Sequence, residues 1–92
     1  FCPLGPFIQT NFEQNPELGI KCFVNNELKQ DGNTRDMIFS IGDILCFVSS
    51  IMTLLPGDVI LTGTPEGVSK VGPGDEIKIE IETIGTLVNS IK

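Results

Sequence analysis

The sequence contains no histidine, and its 92 residues include only three cysteines, Cys2, Cys22 and Cys46. Structural zinc sites are built from cysteine and histidine at short, regular spacings, and no C-x-x-C pair is present, so we expect no zinc site. A Ser-His or Cys-His nucleophile system also needs an imidazole base, which this chain does not supply. We therefore expect no catalytic residue on the chain itself, and reduced, mostly buried thiols in a cytosolic protein.

Positive charge is scarce and unclustered. One arginine, Arg35, and five scattered lysines face twelve acidic residues, which leaves a net charge of −6. Nucleic acids and anionic membrane surfaces bind clustered positive charge, so neither is an expected partner. No apolar run approaches the roughly 18 residues that a membrane-spanning helix needs, and no signal-peptide pattern opens the sequence. These absences predict a cytoplasmic protein.

The chain is short for the amount of apolar surface it carries. A domain of 92 residues buries a modest share of its surface, yet 40% of its residues are hydrophobic. The sequence also begins at Phe1 with "FCPLGPF", which is rich in proline and glycine and so excludes a helix there. We expect residues 1–92 to be one part of a single catalytic domain, truncated on its N-terminal side.

The first half predicts a hairpin followed by a helix. In "GIKCFVNNELKQDGNT" Ile20, Cys22 and Val24 alternate with other residues, and Asn25-Asn26 suits the positive φ of a tight turn. In "SIGDILCFVSSIMTL" apolar residues recur at helical spacing, with Ser40 and Asp43 placed as a capping box. The apolar stripe consists of Ile41, Ile44, Leu45, Val48 and Met52.

The second half predicts strands. Val59 to Leu61 is a continuous apolar run, as in a strand buried on both faces. "EIKIEIE" alternates strictly, with Ile77, Ile79 and Ile81 inward, and a last strand runs from Thr86 towards Ile91. The turn sequence Pro-Gly-Asp precedes both segments. The fold class is therefore mixed β with one helix.

Three polar motifs invite a chemical interpretation that the residues do not favour. Glu80 and Glu82 share a strand face and could chelate a divalent cation, but a solvated face with Lys78 is the better reading. Arg35 and Asp36 could act as an acid/base pair, although turn and capping roles are favoured. "GTPEGVSK" lacks the Gly-Lys pair of a phosphate-binding loop.

The stretch Thr62-Gly63-Thr64-Pro65 is the remaining candidate. Gly63 lets a ligand approach the backbone closely, and the threonine hydroxyls and nearby N–H groups could bind a carboxylate or enolate oxygen. The residues alone are compatible with this site and with a simple surface turn, and they slightly favour the turn.

Four longer motifs, taken in their order along the chain, favour the ligand-binding site over the surface turn. "FCPLGPF", "NNELKQDGNTRDMIFSI", "GDVILTGTPEGV" and "GPGDEIKIEIETIGTLVNSI" together resemble the C-terminal half of the fumarylacetoacetate hydrolase family. The similarity is greatest to its short acylpyruvate hydrolase branch. It implies part of a β-roll or sandwich, a homodimer, and a Mg²⁺ or Mn²⁺ site used on 2-oxo or β-diketo acids such as fumarylpyruvate. It also implies that Thr64 holds the substrate carboxylate, with Gly63 permitting its approach.

The same resemblance implies that the metal-binding and catalytic residues lie upstream of this chain. The family's three metal-binding carboxylates, its catalytic lysine and its lid histidine precede the "FCPLGPF" segment, so no metal ligand is expected on this chain, and Glu80 and Glu82 do not match them. "EGVSKVGPGD" carries a small insertion beside Thr64. Oxaloacetate decarboxylation and hydroxyhepta-dienedioate isomerisation are alternatives within the family. A catalytically silent structural or dimerisation fragment is the alternative outside it.

Overall fold

The computed structural model describes residues 3–10, 16–67 and 70–92, which form a four-stranded antiparallel sheet and one α-helix. The elements in chain order are β1 (Gly19–Val24), β2 (Glu27–Asn33), a 3-10 turn (Thr34–Asp36), α1 (Ile41–Ile51), β3 (Glu76–Ile81) and β4 (Gly85–Ser90). The spatial order of the strands is β2-β1-β3-β4. This architecture confirms the mixed β fold with a single helix.

The hairpin between β1 and β2 turns at the two asparagines. Asn25 and Asn26 have φ values of 51° and 66°, the left-handed conformation that a two-residue hairpin turn requires. The ladder is interrupted once, because Cys22 pairs with Gln30 whereas Phe23 pairs with Leu28. Lys29 is thus the additional residue of a β-bulge, a feature that bends an edge strand locally.

Strand β3 pairs with the free side of β1 and brings the second half of the sequence to the first. The register runs from Ile20 opposite Ile81 to Val24 opposite Ile77. Side chains extend the pairing at both ends of this ladder. Asn25 accepts a hydrogen bond from the backbone N–H of Glu76 at 2.9 Å, and Glu82 accepts one from the N–H of Gly19 at 2.7 Å.

The two Pro-Gly-Asp sequences form the same turn. Asp58 accepts a hydrogen bond from the backbone N–H of Leu55 at 2.7 Å, and Asp75 accepts one from the N–H of Gly72 at 2.8 Å. In both turns the glycine has a positive φ, 95° at Gly57 and 89° at Gly74. Proline followed by glycine is the preferred pair for such a turn, so the repeated chemistry predicted from the sequence is confirmed.

Helix α1 begins with the predicted capping box. The Ser40 hydroxyl accepts the backbone N–H of Asp43 at 3.1 Å, and the Asp43 carboxylate accepts the N–H of Ser40 at 3.4 Å. The helix makes few contacts with any strand. Ile51, next to Ile44 on the predicted stripe, is 64% exposed, and Phe47, outside that stripe, is 67% exposed. A helix that is apolar on more than one side is typical of a buried position.

The described residues form no hydrophobic core, because none of them is fully buried. Val59 and Leu61 are 58% and 80% exposed, and the predicted buried strand at 59–61 does not form. That prediction was wrong for this chain because a doubly buried strand needs neighbours on both edges and both faces, and the described residues provide none here. Cys22 is partly exposed and Cys46 fully so, which contradicts the expected burial of these thiols; Cys2 lies outside the described residues.

The described N-terminal segment contains no regular secondary structure. Residues 3–10 form neither helix nor strand, as "FCPLGPF" predicted, and the Gly5–Pro6 peptide is cis. No helix among the described residues is long and apolar enough to cross a membrane.

We predict that replacing Asn25 raises the pKa of Asp75. Hydrogen bonds from the Gly72 backbone N–H and then from the Asn25 side chain, the latter 3.0 Å long, hold the pKa of Asp75 below its ordinary value of 3.8. The stabilisation is therefore complete above that ordinary value and is lost as the pH falls through the folded-state pKa. In Asn25→Ala the pKa of Asp75 rises but stays below the ordinary value, since the Gly72 bond remains.

The measurement is an NMR titration of the Asp75 carboxyl in the full-length protein. Asn26→Gly is the matched control, because glycine retains the positive φ of the turn and Asn25 keeps its own hydrogen bonds. An unchanged Asp75 pKa in Asn25→Ala would contradict this assignment.

Candidate functional site

The segment from Ile60 to Gly67 is a loop that follows α1 and the first Pro-Gly-Asp turn, at residues 56–58. It contains no helix or strand, and Thr64 is exposed. Gly63 and Gly67 have φ values of 91° and 100°, a conformation that other residues adopt only with strain. The loop therefore depends on its two glycines to turn on either side of Thr64 and Pro65.

A single side-chain amide attaches this loop to the sheet. The Nε2 atom of Gln30, in β2, donates to the Thr64 hydroxyl oxygen at 2.7 Å and to the Pro65 carbonyl oxygen at 2.8 Å. A longer contact of 3.3 Å reaches the carbonyl oxygen of Glu66. All three acceptors come from consecutive loop residues, so Gln30 fixes the position of Thr64 relative to β2.

The loop comes close to the backbone of β2 at two glycines. A Cβ atom at Gly67 would strike the carbonyl oxygen of Lys29, the bulged residue, and one at Gly32 would lie 3.3 Å from the Pro65 ring. Gly67 is therefore needed at its contact, whereas a side chain at Gly32 would require the Pro65 ring to shift by a few tenths of an ångström. Because β2 is the first strand in the sheet order, the loop packs against an edge strand.

Gly63, the other predicted site residue, has open space beside it where Gly67 and Gly32 have close contacts. A Cβ atom built there meets nothing within 4 Å among the described residues. Its positive φ explains why glycine is present, and the open space beside it leaves room for a ligand next to the backbone. Thr64, whose hydroxyl is bound to Gln30 of β2, thus directly follows the open space beside Gly63.

Glu80, in β3, and Glu82, in the turn that follows it, are both engaged with neighbouring groups. Glu82 accepts the backbone N–H of Gly19, and Glu80 lies 3.9 Å from the ammonium of Lys78 and opposite Lys21 in the ladder. Lys78 also lies 4.7 Å from the centre of the Phe23 ring. Within residues 3–10, 16–67 and 70–92, no three His, Cys, Asp or Glu side chains come together as a metal donor set. The described residues therefore do not fit a complete metal site.

The polar cluster after β2 has a structural role. The Asn33 side chain accepts the backbone N–H of Arg35 at 2.9 Å and so caps the 3-10 turn. Arg35 and Asp36 are 4.0 Å apart with both side chains exposed to solvent. The capping function favoured from the sequence is confirmed for Asn33, and Arg35 and Asp36 form only a long contact at the surface.

A separate depression of about 400 Å³ lies where β1, β3 and β4 run side by side, lined by Gly19, Lys21, Glu80, Ile81, Glu82, Gly85 and Thr86. Gly63 and Thr64 do not contribute to it. Its Glu82 carboxylate already accepts the Gly19 N–H and its Glu80 carboxylate lies near Lys78, so the Thr64 loop remains the better candidate site.

Gln30 is the site residue that the sequence did not reveal. It lies 34 positions before Thr64, in a strand where a glutamine is an unremarkable exposed residue. Only the geometry of the bulge and the loop shows that its amide points at Thr64. Val68 and Ser69, where the predicted insertion falls, lie outside the described residues.

Comparison with known proteins gives a consistent result. The family model described as "Fumarylacetoacetate (FAA) hydrolase C-terminal" matches residues 1–92. An uncharacterized protein of Methanocaldococcus jannaschii is 50% identical over 92 residues, which are 100% of this chain and 38% of that protein. The 4-hydroxyphenylacetate degradation bifunctional isomerase/decarboxylase of Salmonella dublin is 48% identical over 91 residues, 97% of this chain and 21% of that enzyme.

A solved structure shows the same fold. The maleylpyruvate hydrolase from Sphingobium sp. SYK-6, crystallised with manganese(II) ion and pyruvate, superposes with a TM-score of 0.92 at 43% identity. The alignment covers 99% of this chain and 35% of that one. The chain thus spans well under half the length of these relatives.

We predict that Gly67→Ala destabilises the loop more than Gly63→Ala. Both substitutions place a β-carbon at positive φ, a strain on the order of 1–2 kcal/mol. Only Gly67→Ala also meets the Lys29 carbonyl, so its loop must detach from β2.

The expected result is faster limited proteolysis within residues 60–67 for Gly67→Ala than for Gly63→Ala in the full-length protein. Equal cleavage rates for the two variants would show that the Lys29 contact does not hold the loop.

Proposed function

The chain belongs to the fumarylacetoacetate hydrolase family, and on that premise we propose that residues 1–92 are the C-terminal part of a single catalytic domain. The intact domain is a metal-dependent hydrolase or lyase that acts on C–C bonds of acylpyruvates or related 2-oxo and β-diketo acids, such as fumarylpyruvate. The 92-residue chain alone is inactive, because the residues that perform the chemistry precede it.

The position and polarity of Thr64 carry this proposal. Its hydroxyl is exposed, lies beside the open space at Gly63, and is held by Gln30 at 2.7 Å. A hydroxyl fixed in this way is a suitable donor to a carboxylate oxygen, which accepts charge-assisted hydrogen bonds. Pro65 contributes no backbone N–H, so the hydroxyl is the polar group that this turn offers to a ligand at that point.

The related hydrolase supports the choice of substrate class. It was crystallised with manganese(II) ion and pyruvate, and pyruvate is the 2-oxo acid that hydrolysis of an acylpyruvate releases. We propose that Thr64 binds the carboxylate of this 2-oxo acid group. In that role the threonine orients the substrate and is not a catalyst.

A divalent metal, Mg²⁺ or Mn²⁺, is part of the proposal for the intact domain. The described residues do not fit a metal site, so we place its ligands upstream of this chain. The net charge of −6 also supports a metal held by other residues. An anionic substrate is repelled by an acidic chain, so its binding needs positive charge that this chain does not supply. What the chain itself provides is a positioned hydroxyl and the space beside it.

The exposed apolar side chains support assembly into a larger unit. Phe47, Ile51 and Leu61 are each more than 60% exposed, on the helix and on the loop that leads to the site. Exposed apolar surface of this extent is typical of an interface. We propose that the rest of the domain and the second subunit of a homodimer cover it, in a cytoplasmic enzyme whose partners include neither nucleic acid nor membrane.

Other reactions of the family stay open as alternatives. The relative from Salmonella dublin is a bifunctional isomerase/decarboxylase, so decarboxylation of oxaloacetate or isomerisation of a hydroxyhepta-dienedioate would use the same carboxylate-binding loop. A catalytically silent structural or dimerisation fragment is the alternative from a different class. It is favoured by the exposed apolar surface and by the lack of a metal donor set among the described residues.

We expect turnover of an acylpyruvate by the full-length protein to depend on a divalent metal. Treatment with EDTA should abolish hydrolysis of fumarylpyruvate, followed by loss of its ultraviolet absorbance, and added Mn²⁺ or Mg²⁺ should restore it. The 92-residue chain is the negative control. Undiminished turnover in the chelator would contradict the metal-dependent mechanism, and no turnover of any of the three substrate types with metal present would favour the silent alternative.

Substitution of Thr64 tests the role of its hydroxyl. Thr64→Val keeps the shape of the side chain but removes the donor to a charged acceptor, which weakens substrate binding by roughly 10-fold to 100-fold. Since the carboxylate is held alike in the ground and transition states, KM should rise by that factor with kcat little changed. Thr64→Ser should retain most of the affinity.

The matched control is Thr86→Val, an exposed threonine on β4 outside the loop, which should leave KM unchanged. If Thr64→Val has the KM of the unmodified protein, the carboxylate is bound elsewhere.

A further inference from the structure

The identity of the Gln30 side-chain atoms is fixed by their partners. The atom facing the loop contacts two backbone carbonyl oxygens, those of Pro65 and Glu66, at 2.8 and 3.3 Å. Carbonyl oxygens only accept hydrogen bonds, so this atom must be the amide nitrogen and not the amide oxygen. The hydrogen-bond network therefore leaves one orientation of the amide.

This orientation dictates the polarity of the Thr64 hydroxyl. An amide nitrogen does not accept hydrogen bonds, so at 2.7 Å the hydroxyl oxygen must be the acceptor and Gln30 the donor. The hydroxyl hydrogen consequently points away from Gln30. Among the described residues no group accepts it, so the hydrogen is available to solvent or to a ligand beside Gly63.

We propose that Gln30 is a positioning residue that sets Thr64 as a hydrogen-bond donor to the substrate carboxylate. The proposal rests on the proposed function of Thr64 and extends it to a residue 34 positions earlier in the chain. The bulge at Lys29 and the close approach of Gly67 place the amide beside the loop, and the amide then fixes both the position and the direction of the hydroxyl. Gln30 does not itself contact the substrate.

The experiment is a double-mutant cycle on the Mn²⁺-loaded full-length protein, with pyruvate as the titrated ligand. Gln30→Ala should weaken pyruvate binding about fivefold, and Thr64→Val about tenfold or more, on the scale of a hydrogen bond to a charged group. The double variant should bind no more than about twofold more weakly than Thr64→Val alone, because residues that act through one another are not additive.

Gln30→Glu provides a sharper test of polarity. The introduced carboxylate accepts the Thr64 hydroxyl hydrogen and repels the two loop carbonyl oxygens, so the donor to the substrate is lost. Gln30→Glu should therefore weaken pyruvate binding more than Gln30→Ala does, and it should raise KM for an acylpyruvate with kcat reduced by a smaller factor. A role confined to stability would not separate the two kinetic constants in this way.

The chain offers a matched control pair with the opposite polarity. The Thr83 hydroxyl donates to the amide oxygen of Gln9 at 3.0 Å, near the turn between β3 and β4. Gln9→Ala removes a Gln–Thr hydrogen bond of similar length and should leave pyruvate affinity unchanged. Thermal unfolding of every variant confirms that the comparison is made between folded proteins.

The outcomes separate this inference from the proposed function. If Thr64→Val weakens binding and Gln30→Ala and Gln30→Glu do not, Gln30 has no positioning role and the role of Thr64 stands. If the effects of Gln30→Ala and Thr64→Val are simply additive, Gln30 does not act through Thr64. If Thr64→Val itself binds pyruvate like the unmodified protein, both proposals fail.

Discussion

The pairing of β1 with β3 joins two segments more than 50 residues apart, and the positions of the other described elements follow from it. It makes β1 a central strand with β2 on its other side, so that β2 becomes an edge to which the Thr64 loop attaches. Side chains extend this ladder where backbone pairing ends, through Asn25 at one end and Glu82 at the other. The site is thus held by a chain of contacts that begins with one long-range ladder.

The described structure has one part held by its own hydrogen bonds and another whose apolar side chains are exposed. Neighbouring strands of the sheet pair through backbone hydrogen bonds, and in each Pro-Gly-Asp turn the aspartate side chain accepts a backbone N–H of the same turn. The helix and the segment around Val59 instead present apolar side chains that nothing described covers. This division supports the proposal that the chain is the C-terminal part of a single larger domain.

Local chemistry explains which features could be predicted from the sequence. The Asn25-Asn26 turn, the Ser40–Asp43 capping box and the alternating β3 strand each depend on residues within a few positions of one another, and each forms as predicted. The strand at 59–61 was predicted wrongly because its formation depends on neighbours that are distant or outside the described residues. The contact between Gln30 and Thr64 escaped prediction for the same reason, since neither residue type carries a signal of the other.

The contacts of the Thr64 loop also link the candidate site to an edge strand. An uncovered edge strand presents unpaired N–H and C=O groups that can template pairing with another chain. Here Pro65, Gly67 and the Gln30 amide hold a loop beside β2, while no backbone hydrogen bond among the described residues pairs the loop with that strand. A substitution that releases the segment proposed to receive the substrate would therefore also uncover part of an edge strand.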